Sequence, residues 1–219
     1  MSNQAVPQLI RAIATFAREK DAYLSKTKLL KLLYLFDVEY YRTHRHTFTE
    51  FSWKFFHLGP WTNEYDPLLD ELVRMGGLVP KSSTHPEYES TNYLPGESVE
   101  IDTILTNIRD EGVLKRVLNA WVERPVGEIL DHVYFRTEPM ENAVRNTPLD
   151  FSLVPTEQPI KYARSSSNAS PKDIAQMRRT IAERQQQLKT NQSPSLPFTP
   201  PRYDDEFFQA MSKLEESLI

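Results

Sequence analysis

The sequence predicts a mainly α (α+β) fold: a compact helical domain with a small β element, then a proline-rich connector and a C-terminal amphipathic helix. Three observations carry this. Apolar side chains recur at helical spacing through most of the first 150 residues. One short stretch, Phe51-Ser52-Trp53-Lys54-Phe55, alternates apolar and polar instead, as a half-buried strand does. Eight of the 16 prolines fall between residues 147 and 202, a window that holds Ser165-Ser166-Ser167, lacks glycine and carries few large apolar side chains. It reads as linker interrupted by one helical stretch.

The first helix is expected over about Gln4–Lys20, with Leu9, Ile10, Ile13, Phe16 and Ala17 as its buried stripe. The second starts after Ser25, a good N-cap. Its apolar residues, Leu29, Leu30, Leu32, Leu33, Leu35, Phe36 and Val38, cover more than one face, which places it in the centre of the core. Lys28 and Lys31 then share one exposed stripe, with Tyr34 and Asp37 at its edges. The aromatic strand follows, and Gly59-Pro60 ends it. Asp66-Pro67 opens a third helix, Asp as N-cap and Pro at the first position, and Gly76-Gly77 closes it through a left-handed cap. Leu78 to Leu94 reads as a hairpin turning near His85-Pro86. Three helical patterns follow at about 100–110, 113–123 and 125–136, with Ile104, Ile108, Val117, Trp121, Ile129 and Val133 inward. Beyond them lies a polar helix at about 171–189. In the last segment Phe207, Met211, Leu214 and Leu218 form an apolar stripe with Phe208 alongside, and Asp204, Asp205 and Glu206 complement the helix dipole at its start.

Charge divides the chain in the same way. Residues 1–150 carry −5, residues 151–202 carry +5 and residues 203–219 carry −4. The expected parts are a domain over 1–150, a basic connector over 151–202 and an acidic tail helix over 203–219. The net charge of −4 gives no global attraction to nucleic acid or lipid. The absence of cysteine excludes disulfides, thiolate metal sites and a cysteine nucleophile, and fits a reducing cytoplasm. No apolar run reaches membrane-span length and no secretory signal is visible, so a cytoplasmic protein is expected.

One set of residues resembles a known family. Lys28-Leu29-Leu30-Lys31-Leu32-Leu33-Tyr34-Leu35-Phe36-Asp37, then Trp53, then His57-Leu58-Gly59-Pro60, then Leu69, Leu72 and Gly77-Leu78, is similar to the Panacea domain, the SocA-like antitoxin domain of bacterial and phage toxin–antitoxin systems. The resemblance covers about residues 5–145, and the family's Y-G-P turn reads Leu58-Gly59-Pro60 here. It implies a mostly helical domain that neutralises a toxin encoded nearby, and it carries over no catalytic residue. Its motif positions are Lys28, Lys31, Tyr34, Asp37, Trp53, Gly59 and Pro60.

Each candidate site has an ordinary alternative. The helix lysines fit a polar partner surface or a plain solvated face. Gly59-Pro60-Trp61 fits a binding edge or a strand-to-helix turn. His44, His46 and Glu50 include metal-ligand types at a spacing that matches no metal motif, so a solvated loop is expected, with no metal or cofactor. No G-x-S-x-G, P-loop or G-x-G-x-x-G is present, and six glycines leave little for phosphate loops, so no enzyme is expected. A helix followed by a hairpin suggests a winged helix, but Glu64–Met75 holds four acids and one base, the wrong sign for a recognition helix. Lys172, Arg178, Arg179 and Arg184 of the connector are the better nucleic-acid contacts, and equally fit a solvated charged segment.

The tail makes the strongest case. Phe207, Phe208, Met211, Leu214 and Leu218, with Asp204 and Asp205, fit docking on a partner, or packing on the chain's own domain or on a second copy. The expectation is an antitoxin that binds its toxin through domain surface and tail. A nucleic-acid-binding autorepressor and a proteolytic adaptor or scaffold in a phage-defence assembly stand as alternatives.

Overall fold

A computed structural model describes residues 5–82, 91–156 and 204–216, with side chains in the last stretch to Lys213. The chain divides into two compact units: Met1–Glu157 with Pro200–Ile219, and Gln158–Thr199. The second unit, with its expected polar helix and the four candidate nucleic-acid contacts, lies outside the described residues.

The first unit is mostly helical with two small antiparallel sheets. Its helices are α1 (Val6–Glu19), α2 (Lys26–His44), α3 (Tyr65–Arg74), α4 (Ile108–Trp121), α5 (Val126–Arg136) and α6 (Asp205–Glu216). Hairpin β1 (Lys54–Phe56) with β2 (Gly59–Trp61) pairs Phe55 with Pro60. Hairpin β3 (Leu78–Ser82) with β4 (Thr91–Pro95) pairs Pro80 with Tyr93, and the expected turn at His85-Pro86 lies outside the described residues.

Local chemistry sets the boundaries. The Ser25 hydroxyl accepts from the Lys28 amide at 3.2 Å and starts α2. Gly76, at φ +73°, lets its own amide reach the Val73 carbonyl and the Gly77 amide reach the Leu72 carbonyl, which is a Schellman ending for α3. Helix α2 is buried nearly all round, with α1, α4, α5, β2 and β4 packed against it.

Several elements differ from expectation. Helix α3 begins at Tyr65, so Asp66 and Pro67 sit inside its first turn, where the missing N–H still costs nothing. The aromatic strand is Lys54–Phe56: ahead of it the Trp53 amide turns back to the Phe51 carbonyl at 2.9 Å, while Phe51, Trp53 and Phe55 are all buried as the alternation predicts. Gly59-Pro60 is no exit to a helix: it opens the returning strand of a tight hairpin. The expected helix over 100–110 is a single 3₁₀ turn, Ile101–Thr103, and α4 starts after Asn107, whose side chain accepts from the Arg109 amide. Ile108 therefore lies in a first turn at 84% exposure instead of facing inward. No helix among the described residues is long and apolar enough to cross a membrane.

Candidate functional site

The motif residues of α2 face inward. Lys28, Lys31, Tyr34 and Asp37 are all buried, which corrects the expectation of a solvated stripe. A polar side chain enters a core only with a partner, and each of three has one from another element. Lys31 Nζ donates to the Pro60 carbonyl at 2.8 Å. Burial holds its amine down at about 7. Asp37 accepts from the Thr49 amide at 3.0 Å, from the Thr49 hydroxyl, and from Trp53 Nε1 at 2.7 Å. Burial raises its carboxyl to about 6, against the opposing pull of those donors. Tyr34 donates to Thr137 Oγ1 at 3.0 Å, and Thr137 in turn donates to the Val133 carbonyl at 2.6 Å. The Tyr34 ring meets Trp53 edge-on at 5.4 Å. The motif is thus a buried framework that clamps the β1–β2 hairpin to α2.

Gly59 completes the clamp. Its φ is +90°, and a Cβ there would lie 3.1 Å from Tyr134 Cε2 of α5. Tyr134 Oη donates to the His57 carbonyl at 3.2 Å, and burial pushes its phenol up to about 12.

The outer side of the hairpin receives the tail. Residues 146–149 run beside β1, held by the Asn146 amide on the Phe55 carbonyl at 2.7 Å and the Leu149 amide on the Trp53 carbonyl at 2.9 Å. That path puts Arg145 under the hairpin turn, where its Nη1 donates to the Phe56 and His57 carbonyls at 3.1 and 3.0 Å. The rest of the guanidinium grips Asp204, Nε to Oδ2 at 2.6 Å and Nη2 to Oδ1 at 2.5 Å. This pair holds the Asp204 carboxyl down at about 2. Asp204 also accepts from the Phe207 amide at 2.9 Å, as an N-cap does. Glu206 meets His57 Nδ1 at 2.7 Å. Phe207 is 5% exposed and packs edge-on against Tyr134 at 5.1 Å.

Of the tail residues singled out for a partner, Asp204 and Phe207 are therefore engaged by the chain's own domain, and Met211 is partly buried against the same core. Asp205 is exposed and Phe208 is 56% exposed. The Leu214 side chain and Leu218 lie outside the described residues. The sequence carries no signal for Arg145 or Tyr134, and His57 enters there only as the residue before the Leu58-Gly59-Pro60 turn, with no role attached. His44 stacks on Tyr40 at 3.9 Å with Nε2 3.4 Å from Asp110, and among the described residues no group of three or more ligand types is placed to hold a metal. No family model matches the chain, and no curated protein or solved structure matches it.

Proposed function

We propose that this protein is a Panacea-like antitoxin, a non-enzymatic cytoplasmic protein that neutralises a toxin encoded nearby by binding it directly. The observation that carries the reading is the split between two adjacent phenylalanines. Phe207 is buried in the domain while Phe208, beside exposed Asp205, faces outward at 56% exposure. An aromatic side chain on a helix already anchored by ion pairs and a buried neighbour is a pre-organised contact, and aromatic anchors dominate protein interfaces. The acids around it suit a basic surface on a nucleic-acid- or nucleotide-directed toxin. The buried motif supports the reading as scaffold, since it fixes the hairpin on which the tail rests.

The test is co-expression with the adjacent open reading frame, reading growth and co-purification together. A neighbour that is toxic alone, and tolerated and co-purified in the pair, is the expected result. A harmless neighbour that does not co-purify overturns it and moves the function to regulation or scaffolding.

A further inference from the structure

The tail's seat has the features of a peptide-recognition site in its own right. It offers a guanidinium whose carbonyl bonds fix its direction, an imidazole beside it, and an aromatic slot formed with Tyr134. Arg145 is further held over the Phe55 ring at 4.7 Å. Its carboxylate-binding edge is thus oriented by the domain and not by the tail. The occupant reads as a short pattern: an Asp N-cap gripped by Arg145, a Glu two residues on at His57, and a Phe three residues on in the slot. All of these contacts come from the N-cap and first turn of α6.

We propose that Arg145, His57, Phe55 and Tyr134 form a docking site for acidic helix starts of the pattern Asp-x-Glu-Phe, that the chain's own tail occupies it, and that a partner protein presenting the same helix start competes for it. A second copy of this chain is a poor competitor, because a tethered segment acts at an effective concentration that a separate molecule at micromolar concentration does not reach. A successful competitor brings further contacts, and in displacing the tail it also removes Phe208 from its fixed position. Access to the site and presentation of the outward face are therefore mutually exclusive. The inference does not need the antitoxin reading, since it concerns the domain and a helix start alone.

The experiment uses the purified full chain with Asp204→Ala and Phe207→Ala, its fold checked by circular dichroism, and a fluorescein-labelled peptide of residues 203–219 read by anisotropy. Saturable binding to this variant is expected, with binding to the unmodified chain at least tenfold weaker because its seat is taken. Phe207→Ala in the peptide should weaken binding at least tenfold, and this control leaves the protein untouched. Added salt should weaken it further, as ion pairs require. A second peptide, Asp-Asp-Glu-Phe followed by an alanine-rich helix, should bind within tenfold of the first. No binding to the emptied chain, or equal binding to both chains, overturns the site. Binding of the first peptide without the second overturns the competing partner. Growth in the co-expression test is read independently of all these outcomes.

Discussion

Replacing Lys31 by Met should stabilise the protein at neutral pH and destabilise it at high pH. The amine is held at about 7, against 10.5 for a free lysine. At about 1.4 kcal/mol per pH unit, burying the ammonium costs about 4 kcal/mol at pH 7. The side chain recovers part of this through one hydrogen bond, to the Pro60 carbonyl at 2.8 Å. Met has similar length and no charge, so it removes the penalty and leaves that carbonyl unpaired at a cost of about 1–2 kcal/mol. The net expectation is a gain of about 2 kcal/mol at pH 7. The sign depends on pH. Between about 7 and 10.5 the unfolded chain holds a proton that the folded one lacks, so the native lysine becomes less costly as pH rises. Near pH 10 its penalty is down to about 1 kcal/mol, and the Met variant should be the less stable protein. Urea denaturation of both proteins at several pH values gives the difference directly, and other titrating groups cancel in it. A Met variant destabilised at pH 7, or a difference that does not move with pH, refutes the reasoning and makes the Lys31–Pro60 bond a net stabiliser.

Asp37→Asn sets an amide N–H against one of the donors that meet the carboxyl, at a cost of about 1–3 kcal/mol, and at the same time relieves the ionisation of a buried carboxyl, so its loss of stability should be largest near pH 4 and smaller at pH 7; a loss in urea melts followed by tryptophan fluorescence that does not shrink between those two pH values contradicts this. The same carboxyl is raised to about 6, so its contribution is full below about pH 4 and is lost as pH rises through 6. The Asn variant should lack that part of the pH profile. Gly59→Ala should lower the melting temperature by about 5 °C, through a strained φ of +90° and the contact with Tyr134; an unchanged melt removes the close approach as a constraint. Phe208→Ala should leave stability within about 0.5 kcal/mol while weakening binding to the proposed toxin tenfold or more. Unchanged affinity in a pull-down titration takes the outward face out of the proposed mechanism.

What the sequence discloses is local. Ser25 as a cap, the Gly76 ending of α3, and the apolar residues of α1 and α2 follow from spacing within a few residues, and each stands where the spacing puts it except Phe16, which is half-buried at the edge of the core. What it hides depends on partners distant in the chain. A lysine reads as solvated unless its acceptor is known, and the acceptor of Lys31 is a carbonyl 29 residues away. Asp37 is buried for the same reason, since Thr49 and Trp53 reach it from a segment that has to fold back. The tail's apolar stripe and acidic start are plain in the sequence, but which surface they meet is not. Arg145 is one of 17 bases in the first 150 residues, and only the course of the chain beside β1 brings it under the hairpin.

The motif and the tail, far apart in sequence, act on one element. Lys31 holds the β2 strand at Pro60, whose register partner is Phe55. The Phe55 ring meets Tyr134 at 5.6 Å, and Tyr134 in turn meets Phe207 at 5.1 Å. Arg145 binds the carbonyls at the turn of the same hairpin and the carboxylate that caps the tail helix. A shift of the hairpin therefore displaces both the slot for Phe207 and the fork for Asp204. On this geometry the buried lysine need not touch a partner to affect one: it sets the position of the seat. Combining Lys31→Met with Phe207→Ala should then give a stability change that departs from the sum of the two by about 0.5 kcal/mol or more. Strict additivity would mean that the hairpin transmits nothing, and that motif and tail are held to the domain as independent parts.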